Sequence, residues 1–293
     1  MWRPLPRFRV PSLPTTGGVL PRILDYRGQD VERTVTVASI LKARQTGRQL
    51  VQVTASTAEE AAAAESAEIG MVVCMAESVS SVRRGSTRVF VTAAVDFSGA
   101  VSADELLGEA FEALSSGADA VITARGMSSV ERLAEEDIPV MGHLGFVPKK
   151  STLYGGVRAV GKTAKEAGAL WKKFQALEDA GAFAVECELI PARVMREINM
   201  RTGLATISLG SGPDADVIFL FMSDICGESP RTPRHARAYG DLAALREQIA
   251  EERVAALSAF RDDVATGKFP DQTEVASIPD DELERFVEYL EAD

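Results

Sequence analysis

Short apolar runs alternate along this chain with longer stretches whose apolar residues recur every three or four positions. Eight runs carry the first pattern: Leu50–Thr54, Met71–Met75, Val89–Ala93, Ala120–Thr123, Pro139–Gly142, Phe183–Cys187, Leu204–Leu209 and Asp216–Met222. Their content of Val, Ile, Ala and Phe marks them as buried strands. The stretches between them open and close like helices. Thr57 and Ser102 are each followed three residues later by a glutamate, Glu60 and Glu105, in the capping-box arrangement. Thr36 opens a helix with Ala38, Ile40 and Leu41 on one stripe, stopped by Gly47. Thr163 opens another, with Ala167, Leu170, Trp171, Phe174 and Leu177 on one face and Gly181 at its end; Gly117 closes the helix begun at Ser102. Strands alternating with helices predict a parallel sheet with crossover helices. Closing eight such strands on themselves leaves no exposed edge. The predicted fold is α/β, a single (β/α)8 TIM barrel. In that fold the strand C-termini converge on one face, where active sites sit. Glu77, Asp96, Arg125, His143, Glu188 and the Gly210-Ser211-Gly212-Pro213 turn all fall just after a run, so they are the first candidates for chemistry.

The pattern divides the chain into three parts. Residues 1–34 hold five prolines and six arginines, and the first acid is Asp25. Pro4, Pro6, Pro11 and Pro14 break any amphipathic targeting helix, so an extended arm is expected. Residues 35–270 form the barrel. Within them Asp241–Thr266 reads as a long amphipathic helix with Leu242, Leu245, Ile249, Val254, Leu257 and Phe260, ended by Gly267-Lys-Phe-Pro. Residues 271–293 form an acidic helical tail opened by Pro279-Asp-Asp-Glu. The arm and the C-terminal helices are candidate subunit contacts.

Composition narrows the partners. A formal charge of −11 argues against a general nucleic-acid surface. No apolar stretch is long enough to cross a bilayer. Three scattered cysteines, Cys74, Cys187 and Cys226, make neither a disulfide framework nor a zinc cluster, and a cytoplasmic location is expected. Cys74 and Cys187 lie in strand runs and read as small buried residues.

Several segments together resemble ketopantoate hydroxymethyltransferase (3-methyl-2-oxobutanoate hydroxymethyltransferase). They are Thr36-Val-Ala-Ser-Ile-Leu-Lys-Ala-Arg-Gln, Ile138-Pro-Val-Met-Gly-His-Leu-Gly, Gly161-Lys-Thr, Ala176-Leu-Glu-Asp-Ala-Gly-Ala-Phe-Ala, Glu188-Leu-Ile-Pro-Ala and Gly210-Ser-Gly-Pro-Asp-Ala-Asp, with Ala238-Tyr-Gly-Asp-Leu and Gly267-Lys-Phe-Pro following. The resemblance spans roughly residues 35–270 in order. It implies a barrel of the phosphoenolpyruvate/pyruvate superfamily type. It implies transfer of a hydroxymethyl unit from 5,10-methylenetetrahydrofolate to the α-carbon of a 2-oxo acid such as 3-methyl-2-oxobutanoate, through an enolate, in pantothenate biosynthesis. It also implies a bound Mg²⁺ and a homo-oligomer built as a ring of dimers. Glu188 matches the proton-abstracting glutamate, and His143 the histidine lining the substrate site.

The metal positions depart from the family's pattern. Met75-Ala-Glu-Ser stands where the family has Val-Gly-Asp-Ser, which puts Glu77 at one metal-binding aspartate and Ser78 beside the substrate. Ala94 stands at the second such aspartate, with Asp96 two residues on. Ala124-Arg125 replaces the family's Glu-Gly. The family's long substrate-covering loop is mostly missing between Ser78 and Gly85. Glu77 with Asp96 could hold Mg²⁺, or Arg125 could take over the cation's role and bind the substrate carboxylate. Gly210 and Ser211 are expected at the substrate, and Glu186 reads as interior-facing or paired. Two other functions stay open: a diverged lyase or aldolase acting on another 2-oxo acid, and a non-catalytic paralogue that serves as a binding or assembly partner.

Overall fold

The computed structural model describes residues 22–95 and 102–292. Residues 1–21 of the expected arm, and Asp96, lie outside the described residues. The chain enters as an antiparallel hairpin, β1 (Ile23–Leu24) and β2 (Asp30–Val31), and then forms α1 (Val37–Thr46). The Thr36 hydroxyl accepts from the Ser39 N–H, and Gly47 ends the helix at φ +70°, a left-handed conformation that glycine adopts without a Cβ clash.

Eight parallel strands follow: β3 (Leu50–Thr54), β4 (Met71–Met75), β5 (Phe90–Ala94), β6 (Ala120–Thr123), β7 (Val140–Gly145), β8 (Ala184–Glu188), β9 (Ala205–Leu209) and β10 (Val217–Leu220). Each pairs with the next, and β10 closes on β3, giving a closed barrel. The crossovers carry α2 (Ala58–Ser66), α3 (Val79–Gly85), α4 (Ala103–Ser115), α5 (Met127–Glu135), α6 (Ser151–Tyr154), α7 (Ala164–Asp179) and α8 (Ala192–Asn199). Both capping boxes form at Thr57 and Ser102. At Thr163 only half does: its hydroxyl takes the Glu166 N–H, while the Glu166 carboxylate turns to Arg158 and to the N–H groups of Gly161 and Lys162. After β10 come α9 (Met222–Ile225), α10 (Leu242–Ala265) and α11 (Asp280–Ala292).

Successive side chains along a strand point to opposite faces. Here one set (Met71, Val73, Phe90, Ala120, Ile122, Met141, Ile207, Phe219) fills the barrel interior. The alternate set (Val53, Val72, Val91, Val121, Val185, Cys187) packs under the helices with Leu106, Leu133, Phe174 and Leu177. The two layers share the strands, and this fixes which residues of β7 and β8 look into the barrel.

The strands differ from the sequence pattern chiefly at β7, which continues through His143 to Gly145 rather than stopping at Gly142. Two glycines hide the strand. A Cβ on Gly142 would come within 2.4 Å of Leu177, and one on Gly145 within 2.1 Å of the Glu188 carbonyl; packing keeps the first bare, and packing together with a backbone φ of +92° keeps the second bare. The helix expected over Asp241–Thr266 forms as α10, with Asp241 as its cap, but none of its residues is buried. Leu245, Ile249, Val254, Leu257 and Phe260 are all exposed. No described helix is long and apolar enough to cross a membrane.

Candidate active site

Glu186 and Glu188 lie two residues apart on β8, so both side chains face the barrel interior. On the neighbouring strand His143 pairs in register with Glu186, and Gly145 with Glu188. The result is a cluster at the C-terminal end of the barrel. His143 Nε2 lies 3.0 Å from Glu188 Oε2 and 3.9 Å from Glu186 Oε1. Three features hold Glu188. Its carbonyl accepts the Phe146 N–H at 2.8 Å. Leu189 follows it at φ +50°, an unusual conformation for a residue with a side chain. The Ser211 hydroxyl, completely buried, donates to the Cys187 carbonyl at 2.7 Å and accepts the Ile190 N–H at 2.9 Å, bracketing Glu188 on both sides.

The cluster opens into a cavity of about 450 Å³. Apolar residues of other strand ends make much of its wall, among them Met75, Ala94, Ile122, Leu209 and Phe219; Thr54, Ser56 and Ser223 add hydroxyls. Among its described lining residues are three carboxylates, Glu60, Glu186 and Glu188, and no lysine or arginine. The Glu60 carboxylate is engaged by the N–H groups of Ser56 and Thr57 at the start of α2.

Burial opposes a charge on His143, but the hydrogen bond to Glu188 and the charges of Glu186 and Glu188 outweigh it, so the imidazole pKa is raised. Burial pushes the Glu186 carboxyl up; the His143 charge pulls against it and the Glu188 charge adds to it. The ligand atoms of His143, Glu186 and Glu188 all lie within 4.8 Å of one another, so the three could hold a metal ion.

The other expected site residues are distributed differently. Glu77 is exposed and Ser78 half-buried in the 3₁₀ turn Ala76–Ser78 that follows β4, and neither is among the lining residues. Ala94 lines the cavity in their stead. Arg125 is half-buried on the loop after β6, with its N–H on the Thr123 hydroxyl, and it too is absent from the described lining. Gly210 sits at φ +71°, against Leu189 and His235, and Ser211 is spent on the backbone beside Glu188. Thus the structure brings Glu188 and His143 together in one cavity, adds Glu186, and leaves Glu77, Ser78, Arg125, Gly210 and Ser211 outside its described wall. Of the two expected Mg²⁺ ligands, Glu77 is exposed and outside the described lining, and Asp96 lies outside the described residues. Within the cluster Glu186 is the one residue to which the sequence attaches no role. Its spacing from Glu188 carries the signal, because two acids at i and i+2 at a barrel-strand end face the same way.

The sequence profile described as Ketopantoate hydroxymethyltransferase matches residues 73–272. The chain belongs to the ketopantoate hydroxymethyltransferase family. A 3-methyl-2-oxobutanoate hydroxymethyltransferase from Pyrobaculum islandicum is 36% identical over 201 residues, 67% of this chain and 74% of that protein. One from Ignicoccus hospitalis is 32% identical over 263 residues, 81% of this chain and 97% of that protein. Among solved structures, the carboxyl transferase domain from Rhizobium etli pyruvate carboxylase aligns with a TM-score of 0.50 at 13% identity, covering 69% of this chain and 46% of that one, a likeness of fold. The family is one of enzymes, and Glu188 and His143 lie inside the matched region.

The cysteines give a direct check on the packing around this site. Burial pushes the Cys74 thiol up to about 12, with Arg83 pulling down and Glu77 pushing up. Burial likewise raises Cys187. At pH 8 the thiolate fraction of Cys74 is then about one part in 10⁴. Only Cys226 is partly exposed. A thiol reagent should label one cysteine per folded chain, with the other two reacting only on denaturation. Cys226→Ser should remove the native-state labelling; fast labelling of two or three thiols would contradict the packing described.

Proposed function

We propose that this cavity performs hydroxymethyl transfer to the α-carbon of a 2-oxo acid, with 3-methyl-2-oxobutanoate as the acceptor and methylenetetrahydrofolate as the one-carbon donor. The observation that carries the reading is the Glu188–His143 pair, hydrogen-bonded at 3.0 Å and facing a cavity at the strand C-termini. The family membership and the names of the relatives support the reaction class.

In this reading Glu188 is the base. The α-C–H bond of the acid breaks, its proton passes to a Glu188 oxygen, and the electron pair is left on the enolate. The α-carbon then forms a bond to the one-carbon unit, water supplies the hydroxyl, and tetrahydrofolate leaves. His143 holds the Glu188 carboxylate in one orientation through Nε2, so the base is positioned before substrate arrives. No step is assigned to Glu77, which stands outside the described wall.

The test is proton exchange. The protein, incubated with 3-methyl-2-oxobutanoate in D₂O, should wash deuterium into the α-position by NMR. Adding methylenetetrahydrofolate should give the hydroxymethylated acid. Exchange without product would move the assignment to another reaction of the same enolate. Absence of both, with this and other branched 2-oxo acids, would remove the enzymatic reading.

A further inference from the structure

We propose that His143, Glu186 and Glu188 form a site for one divalent first-row transition ion at the wall of the cavity. Three ligand atoms, one imidazole nitrogen and two carboxylate oxygens, lie within 4.8 Å of one another. With metal–ligand bonds of about 2.0–2.2 Å, neighbouring ligand atoms in such sites are roughly 3.0–3.5 Å apart. The spacings of 3.0 and 3.9 Å from Nε2 to the two glutamates therefore need little movement to close on an ion. Adjacent strands in register supply all three ligands, so the scaffold is rigid. A mixed imidazole–carboxylate set suits manganese, iron, cobalt or zinc, whereas Mg²⁺ and Ca²⁺ favour oxygen alone.

Glu186 supplies a second, independent sign. It is only 6% exposed, lines the cavity, and accepts no hydrogen bond among the described residues. Nε2 of His143 is committed to Glu188, so Glu186 has only a longer ion contact to the same nitrogen. A buried carboxylate left in that state is costly unless a charge compensates it. The described lining has the same imbalance, with three carboxylates, one imidazole and no lysine or arginine among its residues. An anionic 2-oxo acid would meet repulsion there. A divalent ion on the cluster would offset the charges of Glu186 and Glu188 and leave coordination positions open to the cavity for the acid's oxygens. That role for the ion, though not the site itself, rests on the transferase reading above. With the ion bound, metal bonds to Nε2 and to Glu188 would replace the hydrogen bond between them; Glu188 would give one oxygen to the ion and keep the other for the substrate proton. An ion holding the keto acid's oxygens would also acidify its α-C–H.

The experiment is a titration of the chelator-stripped full-length protein with Mn²⁺, following loss of the free-ion EPR signal. One saturable site per chain is expected, and pulsed EPR of the bound ion should show a coupled nitrogen. Glu186→Gln and His143→Gln should each weaken binding by at least about tenfold, with circular dichroism confirming the fold. Glu77→Gln should leave binding unchanged. Non-saturable binding, coordination by oxygen alone, or binding lost in Glu77→Gln and kept in Glu186→Gln would each overturn the site. The nitrogen coupling is measured on the unmodified chain, so the site can be refuted even if a variant fails to fold. Saturable Mn²⁺ binding with nitrogen coupling but no α-proton exchange would support the site while sinking the transferase reading alone.

Discussion

Replacing Glu188 by glutamine is expected to lower α-proton exchange and turnover by about 10²–10⁴-fold, the usual contribution of a positioned general base. Glutamine keeps the length of the side chain and can still hydrogen-bond to His143 Nε2, so the cavity should keep its shape. What it cannot do is take a proton. The loss should therefore fall on kcat, with a smaller change in the acid's KM. His143→Gln should cost less, because it removes the group that orients the base and leaves the base itself. If Glu188→Gln exchanged deuterium within a few-fold of the unmodified chain, Glu188 would be only a structural partner of His143. The base would then have to be sought elsewhere on the cavity wall, with Glu186 next in line.

The barrel was legible because helix signals and strand signals never competed for the same residues. Thr36, Thr57, Ser102 and Thr163 each cap a helix, and the eight apolar runs each contain one barrel strand or most of it, except at β7, where the run holds only the first half of the strand. Glu188 and His143 were legible for a related reason: an ionisable group at the end of a buried strand is expensive unless it works. The remainder of the site was not readable from spacing. Glu77 follows β4 as Glu188 follows the apolar part of β8, yet a 3₁₀ turn carries Glu77 outward, while β8 runs one residue longer and keeps Glu188 inside. That difference comes from tertiary hydrogen bonds, since the Glu188 carbonyl has a partner on the β7 side in Phe146. Ser211 illustrates the same point. Its motif suggests substrate contact, but its hydroxyl satisfies two backbone groups of the β8 end, a pairing between positions 24 and 21 residues apart. The apolar stripe of α10 does form a helix, yet periodicity alone could not say what, if anything, would cover it.

The largest stability effect is expected at the opposite end of the barrel, at Asp119, just before β6. One of its carboxylate oxygens accepts from Arg33 at 2.7 Å, and the other from Arg83 at 2.6 Å and from the Val91 N–H at 2.8 Å. Arg33 is nearly fully buried, its side chain 4% exposed, and Arg83 is 13% exposed. Arg33 belongs to the segment expected to be an extended arm. Its guanidinium, together with the Thr34 N–H on the Arg88 carbonyl, instead docks the end of that segment onto the chain's own barrel. A buried pair adds little net stability over an apolar packing, but removing one partner leaves the other charge stranded. Asp119→Ala strands two guanidinium groups and one backbone N–H at once. It should cost roughly 3–5 kcal/mol, read as a lower midpoint in chemical denaturation with an unchanged slope. Asp119→Asn should fall between the two, since the amide oxygen can still accept one of the three donors but carries no charge. Because Asp119 lies at the far end from the cavity, the folded fraction of Asp119→Ala should keep the unmodified KM and kcat. A loss of less than about 1 kcal/mol, the scale of an exposed ion pair, would mean that water reaches both arginines and that this end of the barrel is looser than the geometry shows.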